Sequence, residues 1–177
     1  MTKPAHSEIS PPSAWVERFC ERVDPAAEVL DLACGSGRHG RLFLARGHRL
    51  VLLDRDISRV RELGDERNVE LIEADLEDGS PWPLGERQFG VVVVTNYLHR
   101  PLFPYIVAAV APGGWLLYET FALGNEKFGK PSNPDFLLAP GELRRVTSEE
   151  FEIIAFEEGQ VDTPRPAVVQ RAAVRRV

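Results

Sequence analysis

Cysteine is scarce in this chain, which has only Cys20 and Cys34 among its 177 residues. Two cysteines cannot build a disulfide framework, so we interpret both as reduced thiols. Long apolar runs are also lacking, and none approaches the ~20 residues that a membrane-spanning helix needs. The first residues, MTKPAHSEISPP, have neither the apolar core of a signal peptide nor an arginine-rich amphipathic pattern. The sequence therefore predicts a cytoplasmic protein without a membrane contact.

Positive charge is in the minority, with 21 Lys and Arg against 27 Asp and Glu and a formal net charge of -6. Nucleic-acid binding draws on clustered Lys and Arg, so this balance argues against a nucleic-acid partner. The sequence has no grouping of His, Cys and Asp at metal-ligand spacing and no G-x-S-x-G. It therefore predicts neither a metal site nor a serine hydrolase. A chain of this length suits one domain, to which we assign residues 1–177.

Apolar runs alternate with segments of helical spacing along most of the chain. The predicted strands are 28–33, 49–54, 69–75, 89–96, 113–120, 151–158 and 167–176, and the predicted helices are 13–23, 39–47, 57–63 and 101–110. This alternation predicts a doubly wound, Rossmann-like α/β fold with a seven-stranded, mostly parallel sheet. The last two strands have no helical pattern between them, which predicts an antiparallel pair at the C-terminal end.

Two segments fall outside this alternation. Residues 1–12 are polar and contain several prolines, and we predict that they form a loose N-terminal arm. Residues 121–140 are long for a loop of a compact domain, and long loops of this kind are often functional. We therefore interpret 121–140 as a candidate substrate loop, with Phe121, Phe128 and Phe136 as its aromatic side chains.

The turn after the first predicted strand is rich in glycine, because residues 29–40 read VLDLACGSGRHG. The run matches G-x-G-x-x-G, and Asp54 follows Gly35 by 19 residues, which on spacing alone indicates a dinucleotide site. Asp31, however, precedes the first glycine by four residues, and its carboxylate would repel a pyrophosphate. It would attract the ammonium and sulfonium groups of S-adenosylmethionine, whose own carboxylate could use helix N-terminal N–H groups or Arg38. The charge pattern favours S-adenosylmethionine.

Four motifs in a fixed order carry a resemblance to a known family. The runs VLDLACGSGRHG, GHRLVLLDRD, ELIEADLED and FGVVVVTNYLHRP resemble the class I S-adenosylmethionine-dependent methyltransferases over residues 13–120. The first run is most similar to small bacterial members of the tellurite-resistance and thiopurine types. The later run YETFALGNEKFGKPSNPDFLLAPGEL is similar to a bacterial methyltransferase-like subfamily.

The resemblance implies how the cofactor would be held. Asp31 would lie near the methionine amine, Asp54 would bind both ribose hydroxyls, and Asp75 would contact the adenine amine. The other implied residues line the glycine turn, follow these acids or lie beside the transferred methyl group: Gly35, Ser36, Gly37, Arg38, Arg55, Leu76 and Asn96. Trp15, on the first predicted helix, would cover the cofactor, and a place in the hydrophobic core is its alternative.

Three further residues are candidates for catalysis. Tyr97 would lie beside the methyl group, and His99, just past it, could act as a general base. Glu119 ends the fifth predicted strand, where its carboxylate could orient or deprotonate an acceptor. The alternatives are a structural loop histidine at position 99 and an ion pair of Glu119 with Arg100 or a lysine.

On this resemblance the chain is expected to transfer a methyl group from S-adenosylmethionine to a small-molecule acceptor, leaving S-adenosylhomocysteine. Two alternatives stand beside it. One is a non-catalytic, S-adenosylmethionine-binding protein of the same fold. The other is an NAD(P)-dependent oxidoreductase that uses the same glycine turn, against which Asp31 and the lack of a separate substrate domain count.

Overall fold

A seven-stranded sheet runs through the middle of the protein. The computed structural model describes residues 9–147 and 149–177. The strands are β1 (Glu28–Leu32), β2 (Arg49–Asp54), β3 (Val69–Glu73), β4 (Phe89–Thr95), β5 (Val110–Phe121), β6 (Phe151–Val161) and β7 (Ala167–Arg176). Their order in the sheet is β3-β2-β1-β4-β5-β7-β6.

The direction of the strands confirms the predicted fold class. All pairings among β1 to β5 are parallel, whereas β7 is antiparallel to both of its neighbours, β5 and β6. The connection between β6 and β7 spans only residues 162–166, which is too short for the crossover that a parallel pair needs. The sheet is therefore mostly parallel and ends in an antiparallel pair.

Short helices cover both faces of the sheet. The α-helices are α1 (Ala14–Cys20), α2 (Arg38–Leu44), α3 (Phe103–Ala108) and α4 (Glu142–Val146), and 3-10 turns occur at Arg61–Asp65, Arg100–Leu102, Asn125–Lys127 and Pro134–Phe136. One face packs against α1 and α2, and the other packs against α3 and α4. The central strand β4 is buried on both sides, since Val91 to Val94 expose no surface. Each such aliphatic side chain stabilises the fold by ~1.5–3 kcal/mol relative to an exposed one.

The predicted helix 57–63 is wrong, because only the 3-10 turn Arg61–Asp65 forms there. The Asp56 carboxylate accepts a hydrogen bond from the Ser58 backbone N–H at 2.9 Å. Side chains that bind a nearby backbone group in this way compete with helix formation. Val60 and Leu63 are nevertheless buried, so the apolar spacing of the segment marks its packing and not its helicity.

The carboxyl ends of the parallel strands meet at one edge of the sheet. β1 lies between β2 and β4, so the strand order reverses on either side of β1. In open α/β sheets, ligands bind in the crevice at such a point, beyond the carboxyl ends of the strands. Of the predicted N-terminal arm, residues 1–8 lie outside the described residues, and residues 9–12 form neither helix nor strand.

Candidate active site

The run GSGRHG has three glycines, Gly35 and Gly37 in the turn between β1 and α2 and Gly40 inside α2, and each is there for a different structural reason. Gly35 has a φ of 54° and faces open space, so its backbone is accessible. Gly37 has a φ of 69°, and a Cβ there would lie 2.7 Å from Val60 Cγ1. A Cβ on Gly40 would lie 2.5 Å from a Leu52 methyl carbon, so this glycine allows α2 to pack closely on β2. The turn is thus open to a ligand at Gly35 and tightly packed at Gly37, and α2 is tightly packed at Gly40.

Asp54 connects the end of β2 to the glycine turn. Its Oδ2 accepts a hydrogen bond from the Gly35 backbone N–H at 2.8 Å, and its Oδ1 accepts one from the Asp56 N–H at 3.0 Å. Both contacts are charge-assisted, and such bonds are roughly twice as strong as those between neutral groups. The carboxylate is therefore fixed in position beside the most accessible part of the turn.

A cleft of about 420 Å³ lies beyond the ends of the strands. It is lined by Ala33, Asp54, Arg55, Ala74, Asp75, Leu76, Glu77, Asn96, Tyr97 and Phe136. It therefore brings together six of the predicted site residues, which come from the ends of β2, β3 and β4. Ala33 and Asn96 both have a φ of 54°, the left-handed region that non-glycine residues rarely adopt. Such strained residues cluster at functional sites.

A second pocket of about 260 Å³ adjoins the cleft. Its walls are Glu77, Asn96, Tyr97, Leu98, Thr120, Phe121, Pro131 and Phe136, four of which also line the cleft. Two of the three aromatic residues predicted for the substrate loop, Phe121 and Phe136, are among them. Phe128 is exposed on the surface and does not line either cavity.

The loop that carries these residues is fixed at its base by Arg100. The guanidinium binds both carboxylate oxygens of Glu142, at 2.7 and 2.9 Å, and donates to the carbonyls of Asp135 and Leu137 at 2.9 and 2.8 Å. The buried Asn125 side chain adds bonds to Pro131 O and Val168 N. The start and the end of the segment 121–140 are thereby held against the sheet.

Asp31 lies beneath the glycine turn and does not line the cleft. It is 1% exposed, and its Oδ2 accepts a hydrogen bond from the Gly40 backbone N–H at 2.9 Å. Burial raises the pKa of this carboxyl to about 7, against the smaller opposing effects of the Gly40 bond and of Arg38. The acid that the resemblance assigns to the methionine amine is thus a buried group that changes its charge near neutral pH.

We expect Asp31→Asn to change how stability depends on pH. Because the pKa of Asp31 is higher in the folded state, the unfolded chain loses this proton first as the pH rises. The contribution of Asp31 to stability is therefore complete below about pH 4 and declines up to about pH 7. The variant keeps an oxygen for Gly40 and lacks this decline, so at pH 8 its free energy of unfolding should exceed that of the parent by ~1–3 kcal/mol. Urea unfolding at several pH values measures the difference, and a difference that stays constant from pH 4.5 to pH 8 would contradict the assignment.

Trp15 is a core residue, which corrects the expectation that it covers the cofactor. It is 3% exposed, and its indole N–H donates to Ala172 O on β7 at 3.3 Å. It also packs edge to face on Phe19, one turn further along α1. The helical spacing of these two aromatics marks the face of α1 that packs on the sheet, and Trp15 does not line the cleft or the second pocket.

Arg38 and His39, at the start of α2, hold the segment before α1. Arg38 donates to Pro11 O at 2.9 Å. His39 is buried, and burial lowers its pKa to about 3, so the imidazole is neutral. Its Nε2 accepts from the Ser13 backbone N–H at 3.1 Å, which leaves the proton on Nδ1 to be donated to Thr95 Oγ1 at 3.2 Å. These contacts account for the positions of both side chains within the protein itself, without an anionic ligand.

Glu119 belongs to a buried ion pair and lines neither cavity. Its partner is Arg171 on β7, and its Oε1 also accepts from Ser13 Oγ at 2.9 Å. The predicted pairing with Arg100 is wrong, because Arg100 pairs with Glu142. The carboxylate is therefore occupied by neighbours on the face of the sheet that α1 covers, and we interpret Glu119 as structural.

Tyr97 and His99 follow the end of β4, and both are close to Glu77. Burial and the hydrogen bond to the Glu77 carboxylate raise the pKa of the Tyr97 hydroxyl, which stays protonated near neutral pH. The Tyr97 carbonyl accepts from the Tyr118 hydroxyl at 2.9 Å, which fixes the turn. His99 Nδ1 lies 4.0 Å from Glu77 Oε2, and His99 does not line either cavity. Tyr97 is thus a hydrogen-bond donor at the junction of the two cavities.

Glu77 is the charged lining residue that the sequence analysis missed. It comes two residues after Asp75 in the run EADLEDG, in which several acids are equivalent by spacing. Its backbone N–H donates to Asp75 Oδ1 at 2.9 Å. This hydrogen bond forms an Asx turn, which changes the direction of the chain after β3. The sequence indicated Asp75 because it follows a predicted strand. It did not indicate Glu77, because the turn that brings this side chain to both cavities is seen only in the structure.

The described residues, 9–147 and 149–177, contain no group of three or more His, Cys, Asp or Glu that could hold a metal ion. None of the helices in this part of the chain is long and apolar enough to cross a membrane.

Comparison with known proteins agrees with the geometry. Residues 29–114 match a family model described as "Methyltransferase domain". A comparison with curated proteins gave no match. The match and the sheet together give the protein the fold of the class I methyltransferases and confirm its resemblance to them. They support an enzyme of the methyltransferase class with S-adenosylmethionine as its cofactor.

Similar solved structures include TehB from Haemophilus influenzae, at 18% identity and a TM-score of 0.75, with 94% of this chain and 63% of that chain covered. Another is 1,6-didemethyltoxoflavin-N1-methyltransferase from Burkholderia thailandensis with bound 1,6-didemethyltoxoflavin and S-adenosylhomocysteine, at 17% identity and a TM-score of 0.66, with 93% and 79% covered. A third is the N-methyltransferase NodS from Bradyrhizobium japonicum WM9, at 16% identity and 0.65, with 91% and 92% covered. The chain spans less than two thirds of the TehB structure, and these similarities concern the fold.

Proposed function

We propose that the protein transfers a methyl group from S-adenosylmethionine to a small-molecule acceptor. The observation that carries this proposal is the pair of adjoining cavities, a cleft at the strand ends and a second pocket that shares four of its residues. A bisubstrate reaction needs two neighbouring sites that meet where the reacting atoms lie. Asn96 and Tyr97 line both cavities, and they are the residues expected beside the transferred methyl group.

The charges of the cleft suit S-adenosylmethionine. Its titratable lining residues are the acids Asp54, Asp75 and Glu77 with one cation, Arg55, and Tyr97. A pyrophosphate would be repelled by this set, whereas a sulfonium would be attracted. Asp54 would accept from the ribose hydroxyls, and Asp75 and the Leu76 N–H would contact the adenine. The open backbone at Gly35, with Ser36 next to it, would lie beside the ribose and the methionine part, with Asp31 beneath the turn.

The protein's contribution to the reaction would be alignment. When bound, S-adenosylmethionine supplies a methyl group that an acceptor lone pair attacks in line, while the carbon–sulfur bond breaks and its electron pair stays on sulfur. Tyr97, Asn96 and the aromatic walls of the second pocket would hold the acceptor at this junction and exclude water. Fixing two reactants in a productive geometry can supply up to ~7–11 kcal/mol of the barrier reduction.

Parallel calorimetric titrations with S-adenosylhomocysteine, S-adenosylmethionine and NADH test the proposal. We expect micromolar binding of the first two and no binding of NADH, because the cleft is acidic. Binding of NADH alone would favour the oxidoreductase alternative, and binding of none of the three would overturn the proposal. Methyl transfer to a panel of small acceptors, followed by mass spectrometry, then separates a catalytic from a non-catalytic protein.

A further inference from the structure

The walls of the second pocket combine apolar surface with one carboxylate. Leu98, Phe121, Pro131 and Phe136 provide apolar surface, and two of them are flat rings. Among the described residues that line the pocket there is one carboxylate, Glu77, and no Lys or Arg. The guanidinium of Arg165 lies 6.0 Å from the centroid of the Phe121 ring, but Arg165 is not a lining residue.

The Glu77 carboxylate is placed to bind a ligand. Its main chain is fixed by the bond from its own N–H to Asp75 Oδ1, and its side chain is about half exposed, into the two cavities that it lines. The Tyr97 hydroxyl donates a hydrogen bond to it, and His99 Nδ1 lies 4.0 Å from its Oε2. An ionised carboxylate accepts up to about four hydrogen bonds, so it has capacity left for a ligand in the pocket.

We propose that the second pocket selects a flat, uncharged or cationic acceptor that carries an N–H group, and that Glu77 is the residue that selects it by accepting that hydrogen bond. This inference rests on the proposed function, because it takes the second pocket as the acceptor site. The aromatic and aliphatic walls account for the flat shape, and the volume of about 260 Å³ accounts for the small size. An anionic acceptor would meet Glu77 with no compensating cation among the lining residues, so it is excluded.

Three probes of similar shape test the inference on protein saturated with S-adenosylhomocysteine. Benzimidazole has a ring N–H, benzoxazole has the same outline without it, and benzoate is an anion. We expect benzimidazole to bind about ten times more tightly than benzoxazole, since a hydrogen bond to a charged group is commonly worth this factor or more. Benzoate should show no binding. Equal affinities of benzimidazole and benzoxazole, tighter binding of benzoate, or binding of none of the probes would overturn the inference.

The variant Glu77→Gln identifies the residue responsible. It keeps the size of the side chain and removes the charge, so the preference for benzimidazole should fall to about threefold or less. Glu86→Gln is the matched control, because Glu86 is exposed in the segment before β4 and lines neither cavity. A folding defect would weaken the binding of all probes by the same factor, so it cannot change the ratio of the benzimidazole and benzoxazole affinities. If this ratio is the same in Glu77→Gln as in the parent, a residue other than Glu77 selects the N–H group.

The two proposals fail in different ways in this experiment. If S-adenosylhomocysteine does not bind, the proposed function is wrong. If it binds and the probes show no preference for the N–H group, only the inference about Glu77 is wrong.

Discussion

Replacing Asp54 with alanine is expected to weaken the binding of S-adenosylhomocysteine by about ten- to hundredfold. The reason is the loss of a charge-assisted hydrogen bond to the ribose, commonly worth ~1.5–3 kcal/mol. The structure adds a second reason, because Asp54 Oδ2 also holds the Gly35 N–H at 2.8 Å. Without the carboxylate the glycine turn loses one of its fixed points. Isothermal titration calorimetry measures the change.

A neighbouring acid provides the control for this prediction. Asp56 lies two residues after Asp54, in the turn that follows β2, and accepts a bond from Ser58 N, but it does not line the cleft. Asp56→Ala should therefore leave the affinity for S-adenosylhomocysteine within about twofold of the parent. Equal losses in the two variants would mean that the binding depends on the shape of the turn after β2 and not on a ribose contact of Asp54. Unchanged affinity in Asp54→Ala would remove the ribose assignment.

Glu119→Ala is expected to lower the free energy of unfolding by ~3 kcal/mol. The substitution leaves the guanidinium of Arg171 without its main partner, and the two side chains are only 10% and 17% exposed. Removing one partner of a buried pair costs ~3–5 kcal/mol, and Arg171 retains a weaker contact with Glu157 at 3.5 Å. Ser13 Oγ would lose its acceptor as well. Denaturant titration gives the value.

The same variant distinguishes a structural from a catalytic Glu119. Since Glu119 lines neither cavity, its loss should leave the affinity for S-adenosylhomocysteine nearly unchanged at a temperature where the variant is folded. Glu157→Gln is the control, because the Glu157 side chain is half exposed and such surface pairs contribute at most ~1 kcal/mol. A stable Glu119→Ala variant that binds the cofactor normally but has lost its methyl transfer would restore the catalytic interpretation.

The strands were the part of the fold that the sequence predicted best. The run FGVVVVT is almost entirely apolar because β4 is a central strand that is covered on both faces. The observed bounds of β2 and β7 are the predicted ones. Helices were less predictable, because apolar spacing reports which side chains are buried and not which backbone hydrogen bonds form. Residues 57–63 show this, since Val60 and Leu63 are buried although no α-helix forms there.

The acids of the candidate site were predictable for a geometric reason. Parallel strands end at the same edge of the sheet, so Asp54 and Asp75, which stand at or just beyond strand ends, come together in one cleft. The sequence left Trp15 with two interpretations because an aromatic at helical spacing gives the same pattern whether it faces the core or a ligand. The clamp of Arg100 on Glu142 joins residues 42 positions apart, and it depends on the path of the loop, which local sequence does not encode.

The wall that the cleft and the second pocket share has a thermodynamic consequence. Glu77, Asn96, Tyr97 and Phe136 belong to both cavities, so two ligands bound there contact the same side chains. A cofactor that orders these side chains reduces the conformational entropy that is lost when the acceptor binds, and the two affinities become coupled. Linkage is reciprocal, so the acceptor must change the affinity of the cofactor by the same factor. Acceptors should therefore be ranked on cofactor-saturated protein, because their affinity for the free protein is a different quantity.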